Sequence, residues 1–249
     1  MRRLTLLAGI ALLVLHASLA LAREEDRELV INISDNGYPP FAIRHDDDSV
    51  SGIMWDVLHY IALTHGYQLI AREIPPNRVE DFILTGELDG TMRAMEWTHN
   101  ADAFIFTNPI VFVQDVIYTR RDAPAIEDLA QLSGTRLLTR LGFHYPELDP
   151  LIEEGHIRRF DVTGNQEQFN RLRVADRFDA LIINNYVAEW ELRHQPWREE
   201  LVLQPVELKM TGYRFMFAPR HAEFVETFNT ALREITEQGI LERILDKYR

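Results

Sequence analysis

One pattern occurs twice in this chain and limits its possible folds more than any other feature. Gly86-Glu87-Leu88-Asp89-Gly90-Thr91-Met92-Arg93-Ala94-Met95 is echoed by Asp176-Arg177-Phe178-Asp179-Ala180-Leu181-Ile182-Ile183-Asn184-Asn185. Each copy follows a segment with helical spacing, residues 78–85 and 166–175. Each then has a short polar turn, a large apolar residue, Asp, a small residue and an apolar run of strand length. Helix, turn and buried strand form the second half of a βαβ unit. Two such units, each among alternating strands and helices, predict an α/β protein of two similar lobes. In open α/β sheets ligands bind beyond the carboxyl ends of strands, and two facing lobes make a cleft there. Arg93 and Asn184-Asn185, which close the two strands, are the first site candidates. The alternative is a chance echo of five residues.

A length of 249 residues suits either one large domain or two ordinary ones. The formal charge of −13 argues against nucleic acid or anionic lipid as the main partner, because both reward clustered Lys and Arg. The absence of cysteine excludes disulfides, thiolate metal sites, a cysteine nucleophile and lipid attachment at cysteine. The nine histidines show no paired metal spacing, so neither metal nor cofactor is expected. Residues 1–22 read as a cleaved export signal: Arg2-Arg3, an apolar stretch over 4–15, and Ala20-Leu21-Ala22 as the cleavage site. Loss of its two arginines would take the charge from −13 to −15. An uncleaved anchor is the competing reading, since the apolar stretch approaches the roughly 20 residues a span needs.

Along the mature chain, strands are predicted at 29–34, 67–74, 90–95, 110–119, 136–141, 157–162, 180–185 and 213–218. Helices are predicted at 53–64, 78–85, 126–132, 166–175, 185–194 and 222–248, with another ending at 154 and the last interrupted at Gly239. Asp46-Asp47-Asp48 reads as a hairpin tip. No linker is rich in Pro, Gly or Ser, so the lobes should be joined by crossing strands acting as a hinge, with 113–118 and 213–218 as candidates.

In this order the markers form a family pattern. They are residues 35–41 with Tyr38-Pro39-Pro40-Phe41, Gly52 with Asp56, Leu88-Asp89-Gly90, Phe106-Thr107-Asn108-Pro109, Asp128-Leu129 with Gly134, Gly142, and Phe178-Asp179-Ala180. Asn229-Thr230-Ala231-Leu232 and Gly239-Ile240-Leu241 complete it. The chain resembles the family 3 extracellular solute-binding proteins, the polar amino-acid type that serves bacterial ABC importers. The resemblance covers essentially the whole mature chain. It implies a two-lobe periplasmic-binding-protein-like α/β fold of type II, the lobes joined by two hinge strands and closing on a small ligand. The expected units are 23–114 with 213–249 as lobe 1, and 115–212 as lobe 2. A periplasmic, monomeric, non-catalytic protein is implied, with a membrane permease or a membrane sensor as partner.

The resemblance places Asp35, Tyr38 and Phe41 where the family has an acid and an aromatic over the ligand, and Thr98 beside the site. The family's carboxylate-clamping arginine would fall near Ala101, and its ammonium-pairing acid is Asn184. Both charged partners are therefore missing, and Phe143-His144-Tyr145 replaces the usual small residue after the glycine. Arg93 becomes the candidate clamp for an anionic solute. Its alternative is an internal ion pair with Glu96 or Asp89. Arg140, Phe143, His144 and Tyr145 lie at the mirror-image strand end, and Tyr213 opens the second crossing strand. Asn184 could bind ligand or cap a helix. Asp89 and Asp179 read as holding their turns. Two other readings compete: a periplasmic sensor, and a dehydratase-like enzyme using Glu96 or His144 as acid or base.

Overall fold

The computed structural model describes residues 27–249 apart from 35, 99, 175 and 176, so the export signal and Asp35 lie outside the described residues. The first half opens with β1 (Arg27–Asn32) and a hairpin of β2 (Ile43–Arg44) and β3 (Val50–Ser51), with Asp46-Asp47-Asp48 at its tip. Then come α1 (Ile53–Thr64), β4 (Tyr67–Arg72), α2 (Val79–Thr85), β5 (Gly90–Ala94) and the short β6 (Ile105–Phe106). The long strand β7 (Val111–Arg120) leads into β8 (Arg136–Arg140), α3 (Asp149–Glu153), β9 (Arg158–Val162), α4 (Asn165–Val174) and β10 (Ala180–Asn184). The remainder is α5 (Asn185–Leu192), β11 (Leu201–Leu203), β12 (Met210–Phe217), α6 (Ala222–Glu237) and α7 (Ile240–Asp246).

The periodicity of α1 explains its place. Ile53, Met54, Val57, Leu58, Ile61 and Ala62 are all buried, and they cover one face of the first-half sheet. Gly52 starts this helix at φ 117°, and a Cβ there would lie 2.6 Å from the Phe41 carbonyl oxygen, so only glycine fits.

The main sheet runs β4-β1-β5-β12-β7-β10-β8-β9 and reads alike from either end. In each half the first strand is parallel to the second and third: β1 to β4 and β5, β8 to β9 and β10. The echoed sequence motif is therefore a structural repeat. Its two aspartates do one job. The Asp89 carboxylate accepts the Val30 N–H at 2.8 Å while its own N–H donates to the Val30 carbonyl at 2.9 Å. The Asp179 carboxylate accepts the Arg136 N–H at 2.7 Å, and its N–H donates to the Arg136 carbonyl at 3.0 Å. Each aspartate thus pins its strand to the parallel neighbour.

Strand β7 belongs to both halves. Val111 to Gln114 pair with β12, whereas Asp115 to Thr119 pair with β10. It changes partner between Gln114 and Asp115. The returning chain begins β12 at Met210, three residues before the predicted strand, and runs antiparallel beside Val111 to Gln114. The two lobes of this type II fold are joined by these neighbouring strands. The predicted 126–132 helix is a single 3-10 turn, Leu129–Leu132, fixed by the Asp128 carboxylate accepting the Ala130 and Gln131 N–H groups. Among the described residues no helix is long and apolar enough to cross a membrane.

Candidate ligand-binding site

A cavity of about 360 Å³ lies where β1, β5 and β8 end, against the two crossing strands. The first half supplies Asn32, Tyr38, Thr91, Arg93 and Trp97 to its wall, and the second Arg140, Phe143, His144 and Thr163. Asp115 and Tyr213 reach it from the crossing strands. This is the carboxyl-edge position at which open α/β sheets bind ligands. Rings close it from both sides: Tyr38 lies edge-on to Phe143 at 5.8 Å between centroids and is stacked on Phe41 at 5.7 Å. Another hollow, bounded by Arg120, Arg121, Asp122, Arg173 and Glu200, offers little to a ligand. Its arginines are engaged: Arg121 with Glu199 at 2.8 Å, Arg173 with Glu200 at 2.9 Å, and Arg120 with the Phe178 carbonyl at 2.8 Å.

Charge in the cavity is distributed differently from the sequence expectation. Arg93 faces the space, but its Nη1 lies 2.7 Å from Glu80 Oε1, on the first turn of α2. The pairing acid is neither of the two anticipated: Glu96 accepts a hydrogen bond from Thr211, and Asp89 receives Arg220 at 3.1 Å and His221 at 2.8 Å. Arg140 makes no ion pair among the described residues, and its guanidinium sits 5.6 Å from the Phe143 ring centroid. Burial lowers its pKa. Asp115 is half-buried and opens onto the cavity. Burial raises its pKa to about 7, and the charged group acting on it is another acid, Glu147. Burial likewise keeps the Tyr38 and Tyr213 phenols neutral, as hydrogen-bonding hydroxyls. With Arg93 neutralised and both Glu73 and Asp115 in the wall, the anionic solute expected from Arg93 is not supported.

Of the candidates read from sequence, Tyr38, Arg93, Arg140, Phe143, His144 and Tyr213 meet at this cavity. Six stand outside its wall, among them Asn185, whose side-chain oxygen accepts the Gln114 N–H at 3.2 Å. Phe41 is fully buried, packed on Tyr213 at 4.8 Å and Tyr186 at 5.6 Å, and so supports the wall from behind. Thr98 is buried with its hydroxyl donating to the Ala94 carbonyl at 3.1 Å. Tyr145 is buried, its hydroxyl accepting the Arg140 N–H at 3.1 Å. Asn184 caps α5, accepting the Tyr186 N–H at 3.0 Å and the Val187 N–H at 3.4 Å. Glu96 is held by Thr211. Asp115 was missed, although a lone acid in the run Val111–Arg120 is a signal that could have revealed it.

Two lobes on twin crossing strands, with a cavity at the strand ends lined from both halves, define a two-lobed α/β binding protein of the type II periplasmic class. The chain belongs to the bacterial extracellular solute-binding proteins, family 3, whose model matches residues 30–249. It is 21% identical over 226 residues to the arginine-binding extracellular protein ArtP of Bacillus subtilis, covering 90% of this chain and 88% of that one. An arginine 3rd transport system periplasmic binding protein from Legionella pneumophila superposes with TM-score 0.73 at 19% identity, over 90% of this chain and 100% of the other. A histidine kinase sensor domain with similarity to periplasmic binding proteins superposes with TM-score 0.75 at 20% identity, over 91% and 97%. Its relatives are amino-acid-binding proteins rather than enzymes, and the dehydratase-like reading falls away.

Proposed function

We propose that this protein is an exported periplasmic receptor that encloses one small, amino-acid-type solute between its lobes and delivers it to the permease of an ABC importer. Lobe 1 comprises 23–114 with 213–249, lobe 2 comprises 115–212, and the protein acts as a monomer. The observation that carries this reading is the cavity of about 360 Å³ walled by both halves and by the strands joining them. Its size lies at the small end of the roughly 300–1,000 Å³ typical of ligand sites. A solute touching both walls binds the closed form better than the open one, and only such differential affinity can shift a hinge equilibrium. Arg140 is the group suited to a solute carboxylate, because its guanidinium faces the cavity without an acidic partner among the described residues.

Thermal melting against amino acids, amines, sugars and organic acids tests this. A true ligand at one hundred times its Kd should stabilise the protein by about 2.7 kcal/mol. A flat response across the panel would count decisively against a receptor. The likeness to a kinase sensor domain favours one second reading, in which closure is reported to a membrane protein and no cargo is released. Permease and ATPase genes beside this one would speak for import; a lone kinase gene would speak for sensing.

A further inference from the structure

We propose that Asp115 is the receptor for a positively charged group on the solute, an ammonium, amidinium or guanidinium seated against the crossing strand β7. This rests on the cavity being the ligand site and specifies what that site selects. Asp115 is the first residue of β7 to pair with β10, directly opposite Asn184 in antiparallel register. The Asn184 side chain is consumed in capping α5, leaving the carboxylate as the ionisable group at this point of the sheet. It opens onto the cavity and forms no ion pair among the described residues.

Among the described residues no cation accounts for an acid here. Asp115 is half-buried in the cavity wall, and a carboxylate drawn out of water there without a cation costs stability unless something compensates it. The neighbours do not. Glu147 acts on Asp115 with the same sign, and the nearby Tyr38 and Tyr145 phenols stay neutral. Arg93 is engaged with Glu80, and Arg140 lies over Phe143. The missing counter-charge is therefore one the solute brings. The Tyr38, Phe143 and Trp97 rings in the same wall suit a cation as well, since their faces are negative. With Arg140 available for an anion, the site matches a zwitterion or a cation better than any dicarboxylate.

The test is calorimetric titration at pH 8.5, where Asp115 is ionised, of wild type and Asp115→Asn. The probes are L-arginine, L-histidine, L-glutamine and agmatine, together with glutarate and glutaramate; glutaramate is glutamine without its ammonium. Wild type should bind at least one of the first four, and at least about tenfold more tightly than glutarate or glutaramate. Asp115→Asn should weaken that probe about 100-fold, as loss of a buried charged partner does. Without ligand the variant should melt no lower than wild type, which a purely structural carboxylate would not allow. If Asp115→Asn binds the same probe within threefold of wild type, the assignment is overturned while the receptor reading stands. Binding of glutarate or glutaramate alone has the same meaning. Failure of every probe on wild type overturns the assignment, and the receptor reading falls with it only if the wider melting panel is flat as well.

Discussion

Asp89 and Asp179 each hold the first amides of a neighbouring parallel strand, and each answers to acid in the same direction. Arg136, through its hydrogen bonds, is the main cause holding Asp179 below the usual carboxylate range. At Asp89 burial alone would raise the pKa, but His221, the Val30 N–H and Arg220 outweigh it and leave a net depression. Their stabilising effect is thus present above the unfolded carboxylate range and lost as pH falls through their depressed folded values. Asp179→Ala, which strands the Arg136 N–H, should cost about 1–3 kcal/mol in urea unfolding. Asp115 has the opposite sign. Its raised folded pKa favours the protonated form, so its contribution is full below about pH 4 and disappears as pH rises through about 7. The like charge of Glu147 acts on the same carboxylate and reinforces the trend. Unfolding curves of the apo protein between pH 5 and 8.5 should therefore show a declining component that Asp115→Asn removes.

Elements set by their own residues were legible, and those that depend on distant partners were not. The apolar spacing of α1, the left-handed Gly86 at φ 91° closing α2, and the Asp-small-apolar starts of β5 and β10 are local signals. By contrast β6 exists only because Met216 and Phe217 of β12 pair with it, and β11 only because it lies along the end of β7. The same division holds at the site. Arg93 and Arg140 could be placed because strand ends converge at a carboxyl edge, Tyr213 because it lies on a crossing strand, and Tyr38 through the family resemblance. The pairing of Arg93 with Glu80 could not, since it depends on how α2 packs over β5. Asp115 was obscured because its strand was read for apolar content and not for its exception. Packing makes a sharper test at Gly90, where β5 passes β12. A Cβ there would lie 2.7 Å from the Phe217 ring and 2.8 Å from the Met216 carbonyl oxygen. Gly90→Ala should therefore destabilise by about 1–3 kcal/mol, the usual cost of overpacking, measured as a lower denaturation midpoint with unchanged slope.

At the scale of the molecule, the palindromic strand order makes two equivalent bodies sharing one pivot, and β7 changes allegiance at Asp115 within it. Ligand that touches both walls should draw the bodies together, so X-ray scattering should show a smaller radius of gyration on saturation with a bound probe. Beyond the cavity, Tyr248 ties distant parts of the chain. Its hydroxyl accepts the Gly52 N–H and donates to Asp56, both at 2.8 Å, while its carbonyl accepts Arg193 at 2.9 Å, just past α5. Deleting Tyr248 and Arg249 should speed solute escape in stopped-flow measurements. Such a result would make Tyr248 a latch, and a reporter dye fixed beside it would sense the door rather than the room.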